Sequence, residues 1–249
     1  MRAVRWQFQG FAAPAKRPAR ADNLAYHFSE LAIARDPSDP DHVAPTIRQT
    51  DWALDLGGGF GQWLVGMGFP GQFRACLEID ESAIAHGLAH YRDLIQYVFA
   101  NASSIPYPAE TFDLVLSRVS LPYMNIPRVI GEVRRVLKPG GRIWITLHSR
   151  EHAMNLLHKV ATDYLERMDA AGMPRWRTWK SRLKMWMHRT YVLFNGHLFE
   201  HTGRVLPFIN GRYESWQTPE AMKRLLERGG FDVSVTTQRK HTVIEGVKR

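Results

Sequence analysis

Short apolar runs alternate along this chain with segments whose apolar residues recur every three or four positions, a pattern that predicts strands and helices in turn. Trp52 to Leu56, Phe73 to Leu77, Gln96 to Ala100 and Arg142 to Leu147 are strand-like runs, and another begins at Phe112-Asp113. Helical spacing fills the intervals. Asp22 to Glu30 reads as a short helix with Leu24, Phe28 and Leu31 on one face, a second helix begins near Phe60, and a third leads from Ser82 toward His90. Val129, Val133, Val136 and Leu137 mark a helix from Pro127 to Leu137, and Lys138-Pro139-Gly140-Gly141 supplies the basic last turn, Pro and Gly that end it. Past residue 150 the spacing of Met154, Leu157, Val160, Ala161, Tyr164, Leu165 and Met168, then of Leu183, Trp186, Met187, Tyr191 and Phe194, is again helical. Thr218-Pro219-Glu220 opens a last helix with an N-cap and a Pro at its first position, and Phe231 to Thr237 with Thr242 to Val247 reads as an antiparallel pair. Residues 1 to 21 follow neither period and read as a basic arm.

The chemistry gathers where the first strand ends. Ala53-Leu54-Asp55-Leu56-Gly57-Gly58-Gly59-Phe60-Gly61 is an apolar strand that carries an acid and breaks into a glycine turn opening a helix. Gly57, Gly59 and Gly61 supply positive φ at little cost and let a ligand approach bare backbone. A dinucleotide turn needs G-x-G-x-x-G, and counted from Gly57 its last position is Gln62, so that match fails. Asp55 argues the same way. A carboxylate ahead of the turn repels a pyrophosphate and attracts a ligand that has a free ammonium and no phosphate.

Asp55-Leu56-Gly57-Gly58-Gly59-Phe60-Gly61 resembles the D-x-G-x-G-x-G turn of class I S-adenosylmethionine-dependent methyltransferases. Pro106 to Ser117 resembles the family's P-F-x-x-x-x-F-D-x-V stretch, and Leu137-Lys138-Pro139-Gly140-Gly141 is a third match. The resemblance implies an α/β fold, a Rossmann-like doubly wound sheet of seven mostly parallel strands with one antiparallel strand. It implies S-adenosylmethionine as cofactor, held by Asp55, Gly57, Gly58, Gly59 and Gly61, by Glu78 and Ile79 on the ribose side, by Asn101 and Ala102 around the adenine, and by Ser117. Asn101 stands where the family usually has an aspartate, and its amide oxygen can still accept a hydrogen bond. Asp80 competes with Glu78 or caps the next helix. In the family the segment before the first strand often caps the site, which brings Tyr26 and His27 toward substrate. Ser117-Arg118-Val119-Ser120 does not resemble the N-P-P-Y of exocyclic-amine methyltransferases, which argues against adenine N6 and glutamine amide substrates. A hydroxyl or ammonium acceptor needs a base, and the catalytic candidates are His148, at the end of the fifth strand, and Tyr123, with His152 behind them.

The expected organisation is an arm and cap over 1–50, a cofactor-binding core over 51–150, a helical lid over 151–212, and a C-terminal helix and hairpin over 213–249 that completes the sheet. Composition narrows this picture. With 249 residues and 45% hydrophobic content the chain suits one large domain with additions. No apolar run reaches membrane-spanning length, and a soluble, cytoplasmic protein is expected. The single cysteine, Cys76, lies in an apolar strand and offers neither a disulfide framework nor an exposed nucleophile. A formal charge of +9 suggests an acidic partner. Between Met173 and Phe199 there is no acid, while Arg175, Arg177, Lys180, Arg182, Lys184 and Arg189 interleave with Trp176, Trp179 and Trp186. A helical lid, a single-stranded RNA surface and an anionic membrane surface all fit this stretch.

The function read from the sequence is methyl transfer to an O, N or C nucleophile of a small molecule, anionic or aromatic. An RNA methyltransferase and a non-catalytic cofactor-binding module stay open as alternatives. No metal is expected. His197-Leu198-Phe199-Glu200-His201 and His148-Ser149-Arg150-Glu151-His152 both fit H-x-x-E-H, but Gly196 and Gly203 leave little room for the helix the first would need, and the second straddles a strand end.

Overall fold

A computed structural model describes residues 21–147, 150–172, 175–209, 211–239 and 241–249. Seven strands make one sheet in the order β3-β2-β1-β4-β5-β7-β6. They are β1 (Trp52–Leu56), β2 (Phe73–Glu78), β3 (Gln96–Phe99), β4 (Phe112–Arg118), β5 (Leu137–Thr146), β6 (Phe231–Gln238) and β7 (His241–Lys248). β1 to β5 pair in parallel, and β7 runs antiparallel to both β5 and β6, so one strand opposes the other six. This is the doubly wound, mostly parallel sheet expected from the sequence.

The central strands β1, β2, β4 and β5 are rich in buried apolar residues because both faces of the sheet are covered there. Leu54, Leu56, Leu77, Val115, Ile143 and Ile145 pack toward Ile126, Val129 and Val133 of α4 (Ile126–Val136) and Met222 and Leu226 of α7 (Pro219–Arg228). The alternate set, Ala53, Cys76, Leu114, Leu116 and Trp144, packs with Val43, Leu64 and Phe69 on the other face. Helix starts follow their caps. Asp80 accepts from Ser82 N and Ala83 N to begin α3 (Glu81–Tyr91), and Thr218 accepts from Ala221 N ahead of Pro219.

Three boundaries differ from expectation. α4 stops at Val136, and Leu137, expected as its last residue, is fully buried as the first residue of β5. Leu137 pairs with Phe112 before the register shifts and Arg142 pairs with Leu114, so Lys138 to Gly141 bulges within the strand, with Gly140 at φ 71°. α1 (Ala21–Arg35) is longer than expected and buries Glu30, Leu31 and Ala34, leaving Phe28 exposed. The reason is polar as much as apolar, since Glu30 is drawn inward by two donors on the core. α6 (Arg175–Thr202) runs without a break through Gly196, correcting the view that Gly196 and Gly203 exclude a long helix there. Gly196 is needed because a Cβ would collide with the Trp216 indole. His197 and His201 do share one helix, both exposed, yet no cluster of three His, Cys, Asp or Glu able to hold a metal is present among the described residues.

After α5 (Arg150–Ala170) and α6 the chain returns through a strap, described over residues 203–209 and 211–217, to the loop that follows β4. Buried Asn195 clips it. Its Nδ2 donates to Leu206 O (2.9 Å) and Glu214 O (3.0 Å), and its Oδ1 accepts from Leu206 N (2.8 Å). Ser215 N donates to Pro122 O at 3.0 Å, and Asn125 Nδ2 donates to Tyr213 Oη at 3.1 Å. Helix, strap and site loop are thereby one connected unit.

Candidate functional site

The glycine turn leaves β1 at the C-terminal edge of the sheet, beside the point where strand order reverses from β1 to β4. Gly57, Gly59 and Gly61 have φ of 66°, 59° and 78°, as their spacing predicts, and Gly61 caps α2 (Gln62–Gly66). A Cβ on Gly59 would strike the His27 ring, and one on Gly57 would come within 2.7 Å of Ser120 Cβ. The turn is therefore overlaid by α1 on one side and by the loop after β4 on the other.

A small cavity, about 30 Å³, sits in this cleft and is lined by Tyr26, His27, Glu30, Asp55, Gly57, Gly58, Gln62, Trp63 and Arg118. Its charged groups are unevenly partnered. Glu30 accepts from Arg118 Nε at 2.8 Å and from Trp63 Nε1 at 2.9 Å, and the two ionic side chains are only 12% and 7% exposed. Arg118 Nη2 donates to Asp41 O at 3.1 Å, and its guanidinium lies 4.1 Å from the Trp63 ring centroid. Nη1 is buried with no hydrogen-bond partner among the described residues. Val119, the next residue, adopts φ 48°, a costly conformation for a β-branched side chain, and such strain concentrates at functional loops.

Asp55 is 2% exposed. Burial first, and the Glu78 carboxylate second, push its pKa up to about 7 against the opposing pull of Arg118. Glu78 itself is held by backbone donors: Gly59 N at 3.0 Å on one oxygen, Ile79 N at 2.6 Å and Asp80 N at 3.0 Å on the other. His27 is pushed toward the neutral form by burial, outweighing Glu78, Asp80 and Glu30, and its Nδ1 lies 3.2 Å from Gln62 Nε2. Burial also raises the Cys76 thiol well above its ordinary value, so that it behaves as a packed side chain.

Like Gly59, Gly61 and Glu78, the other described candidates do not line the cavity. Ser117 is buried, and its Oγ is 2.6 Å from Ser120 Oγ, which donates to Leu56 O at 2.5 Å. Asn101 is exposed and its Oδ1 accepts from Ser103 N at 2.8 Å, a turn contact, while Ala102 is buried beneath it and Ile79 is exposed. Asp80 is engaged in its helix cap. Tyr123, in a 3-10 turn over Leu121–Tyr123, has its phenol pushed up to about 12 by burial and then by Glu214, so it keeps its proton and can donate near neutral pH. His148 lies outside the described residues.

Sequence reasoning missed Arg118, Glu30, Gln62 and Trp63. The one signal for Arg118 is a guanidinium closing a strand that is mostly apolar, which must find a partner to be buried. Its partner Glu30 stands 88 positions away, and nothing local announces the pair.

Residues 54–145 match the model of a methyltransferase domain. The demethylmenaquinone methyltransferase of Symbiobacterium thermophilum is 40% identical over 67 residues, 26% of this chain and 26% of that protein. The ubiquinone/menaquinone biosynthesis C-methyltransferase UbiE of Pasteurella multocida is 32% identical over 132 residues, 47% of each. The chain thus spans less than half the length of these curated relatives. A solved S-adenosylmethionine-dependent methyltransferase from Thermotoga maritima shares the fold, with a TM-score of 0.52 at 14% identity, covering 93% of this chain and 97% of that one. The strand order, the glycine turn and this match together mark residues 54–145 as similar to a methyltransferase domain.

Proposed function

We propose that the chain transfers a methyl group from S-adenosylmethionine to a small molecule taken up between the glycine turn and the helices of residues 151–212. One observation carries this reading. Arg118, whose buried Nη1 has no hydrogen-bond partner among the described residues, lines the same small cavity as Asp55, Gly57 and Gly58. These groups fit an amino-acid zwitterion, with Arg118 donating to its carboxylate and Asp55 accepting from its ammonium. Glu78 is placed to accept from ribose hydroxyls, with Asn101 and Ala102 toward the base and Ser117 steadying the loop through Ser120. The cavity has room for about one water, so uptake of the cofactor requires α1 to swing away from the turn it covers.

Bound there, the cofactor supplies an electrophilic methyl on a sulfonium. The chain's own work is to hold the acceptor in line with it and keep water out, and such alignment can be worth ~7–11 kcal/mol without a covalent catalyst. Tyr123, holding its proton, orients an acceptor by donating to it. His148 is the candidate to take a proton from a hydroxyl or ammonium. The name of the Pasteurella multocida relative, a C-methyltransferase of ubiquinone/menaquinone biosynthesis, favours a carbon acceptor for this chain as well. A cytoplasmic setting with Cys76 reduced completes the reading.

Calorimetry with S-adenosylhomocysteine tests it directly. One-to-one binding that is lost in Arg118→Met and Asp55→Asn is expected, and uptake of NADH with indifference to S-adenosylhomocysteine would overturn the proposal.

A further inference from the structure

α6 presents an apolar face that no other described element covers. At about 100° per residue, Trp179, Leu183, Trp186, Met187 and Phe194 fall within one arc of roughly a quarter to a third of the helix circumference. All five are exposed, Trp179 to 62% and Trp186 to 64%. The opposite side of the same helix, Val192, Asn195 and Phe199, is buried against the body of the protein. A two-tryptophan stripe turned to water costs hydrophobic free energy unless something covers it.

The charges beside the stripe say what covers it. Arg182 and Arg189 run along one border and Lys180 and Lys184 along the other, all exposed, with no acid between Met173 and Phe199. Long basic side chains on both edges of an aromatic and aliphatic face can extend to lipid headgroups while the face enters the acyl boundary. Tryptophan belongs at that depth. Three other occupants fit less well. Residues 1–20 hold five basic residues and no acid, so they are repelled by the same borders. A second copy carries the same +9 charge. RNA would gain from stacking on the two indoles, but Leu183 and Met187 offer bases no ring to stack on.

We propose that the exposed face of α6 docks the protein on an anionic lipid bilayer. The strap clipped by Asn195 joins this helix to Pro122 and Asn125 in the loop after β4, so docking brings the candidate site next to the membrane surface. The proposal stands on α6 alone and does not depend on the cofactor reading.

Sedimentation with sucrose-loaded vesicles tests it on the full chain. Vesicles of phosphatidylcholine with about one third phosphatidylglycerol are expected to pellet the protein in low salt, pure phosphatidylcholine vesicles to leave it in solution, and about 0.5 M salt to reverse the binding. Brominated acyl chains should quench tryptophan emission. Trp179→Ser with Trp186→Ser, and separately Arg182→Glu with Arg189→Glu, should each weaken binding about tenfold or more, while S-adenosylhomocysteine binding in both variants matches the parent. No pelleting at low salt, pelleting without quenching, a dimer in analytical ultracentrifugation that the tryptophan variant abolishes, or an RNA oligonucleotide bound more tightly than the vesicles and lost in the same variants would each overturn it.

Discussion

Replacing Asp55 by Asn should make the ligand-free protein more stable and the enzyme useless, and the size of both effects follows from the carboxyl's surroundings. Asp55 titrates near 3.8 when exposed and at about 7 in the folded chain, because it is buried and faces Glu78. The folded state therefore holds its proton more tightly than the unfolded one. Below pH 3.8 the shift costs nothing. As pH rises from there to 7 stability is lost, and beyond 7 the loss levels off. Integrated at ~1.4 kcal/mol per unit, the loss is about 4 kcal/mol at pH 8 and less than half of that at pH 5. The isosteric amide has no charge to desolvate, so Asp55→Asn should gain about 4 kcal/mol over the parent at pH 8, some 10 °C in melting temperature for a chain of this size, and less than half of that at pH 5. Its affinity for S-adenosylhomocysteine should fall by ~100-fold or more, as when one partner of a buried ion pair is removed. Thermal melts and urea titrations at the two pH values, with calorimetry at pH 8, measure all of this. A variant no more stable than the parent at pH 8, or equally stabilised at both pH values, would refute the electrostatic account of the site.

Arg118→Met should cost ~3 kcal/mol in urea unfolding, because it strips the buried Glu30 carboxylate of its guanidinium, and should abolish S-adenosylhomocysteine binding in calorimetry. Asn195→Leu leaves the carbonyls of Leu206 and Glu214 and the Leu206 N–H without their partner; a loss of ~2–4 kcal/mol is expected, with faster limited proteolysis between residues 203 and 217. Val119→Gly removes a β-branched side chain at φ 48° and should raise stability by ~1 kcal/mol while weakening S-adenosylhomocysteine binding, since Arg118 and Ser120 lose their fixed placement. A destabilised Val119→Gly chain would show that the conformation is not strained.

What could be read from the sequence was what local physics dictates. β1 was legible to the residue because a short run, apolar but for Asp55, breaks directly into a glycine turn, and the positive φ of Gly57, Gly59 and Gly61 because a turn that tight admits little else. Asp80 and Thr218 announce their helices by capping chemistry that acts over three residues. Leu137 was assigned to α4 because it continues the helical stripe, but pairing with Phe112 on β4 takes it into the sheet. Gly196 looked like a helix breaker, and only the Trp216 indole across the strap explains why a glycine stands inside α6. α1 hides its true inner face for the same reason: Glu30 is polar by itself and becomes interior only once Arg118 and Trp63 are in place. The errors therefore fall where a distant partner outweighs a local preference.

That pattern bears on the ligand. Glu30, Asp55 and Glu78 set three carboxylates around the glycine turn against the single guanidinium of Arg118, and His27 beside them is driven toward neutrality. Fully ionised, such a cluster would carry an excess of two negative charges in a place largely closed to water, and a protein without a ligand relieves part of that by letting Asp55 take a proton. A ligand bringing an ammonium and a sulfonium against one carboxylate has a net charge of +1 and halves that excess, and its carboxylate would answer Arg118 Nη1, which has no partner among the described residues. A pyrophosphate would deepen the imbalance. On the proposed reading, the raised Asp55 and the idle guanidinium nitrogen are two signs of one condition, a charge arrangement relieved by a zwitterion with an additional cationic centre and worsened by a phosphorylated coenzyme.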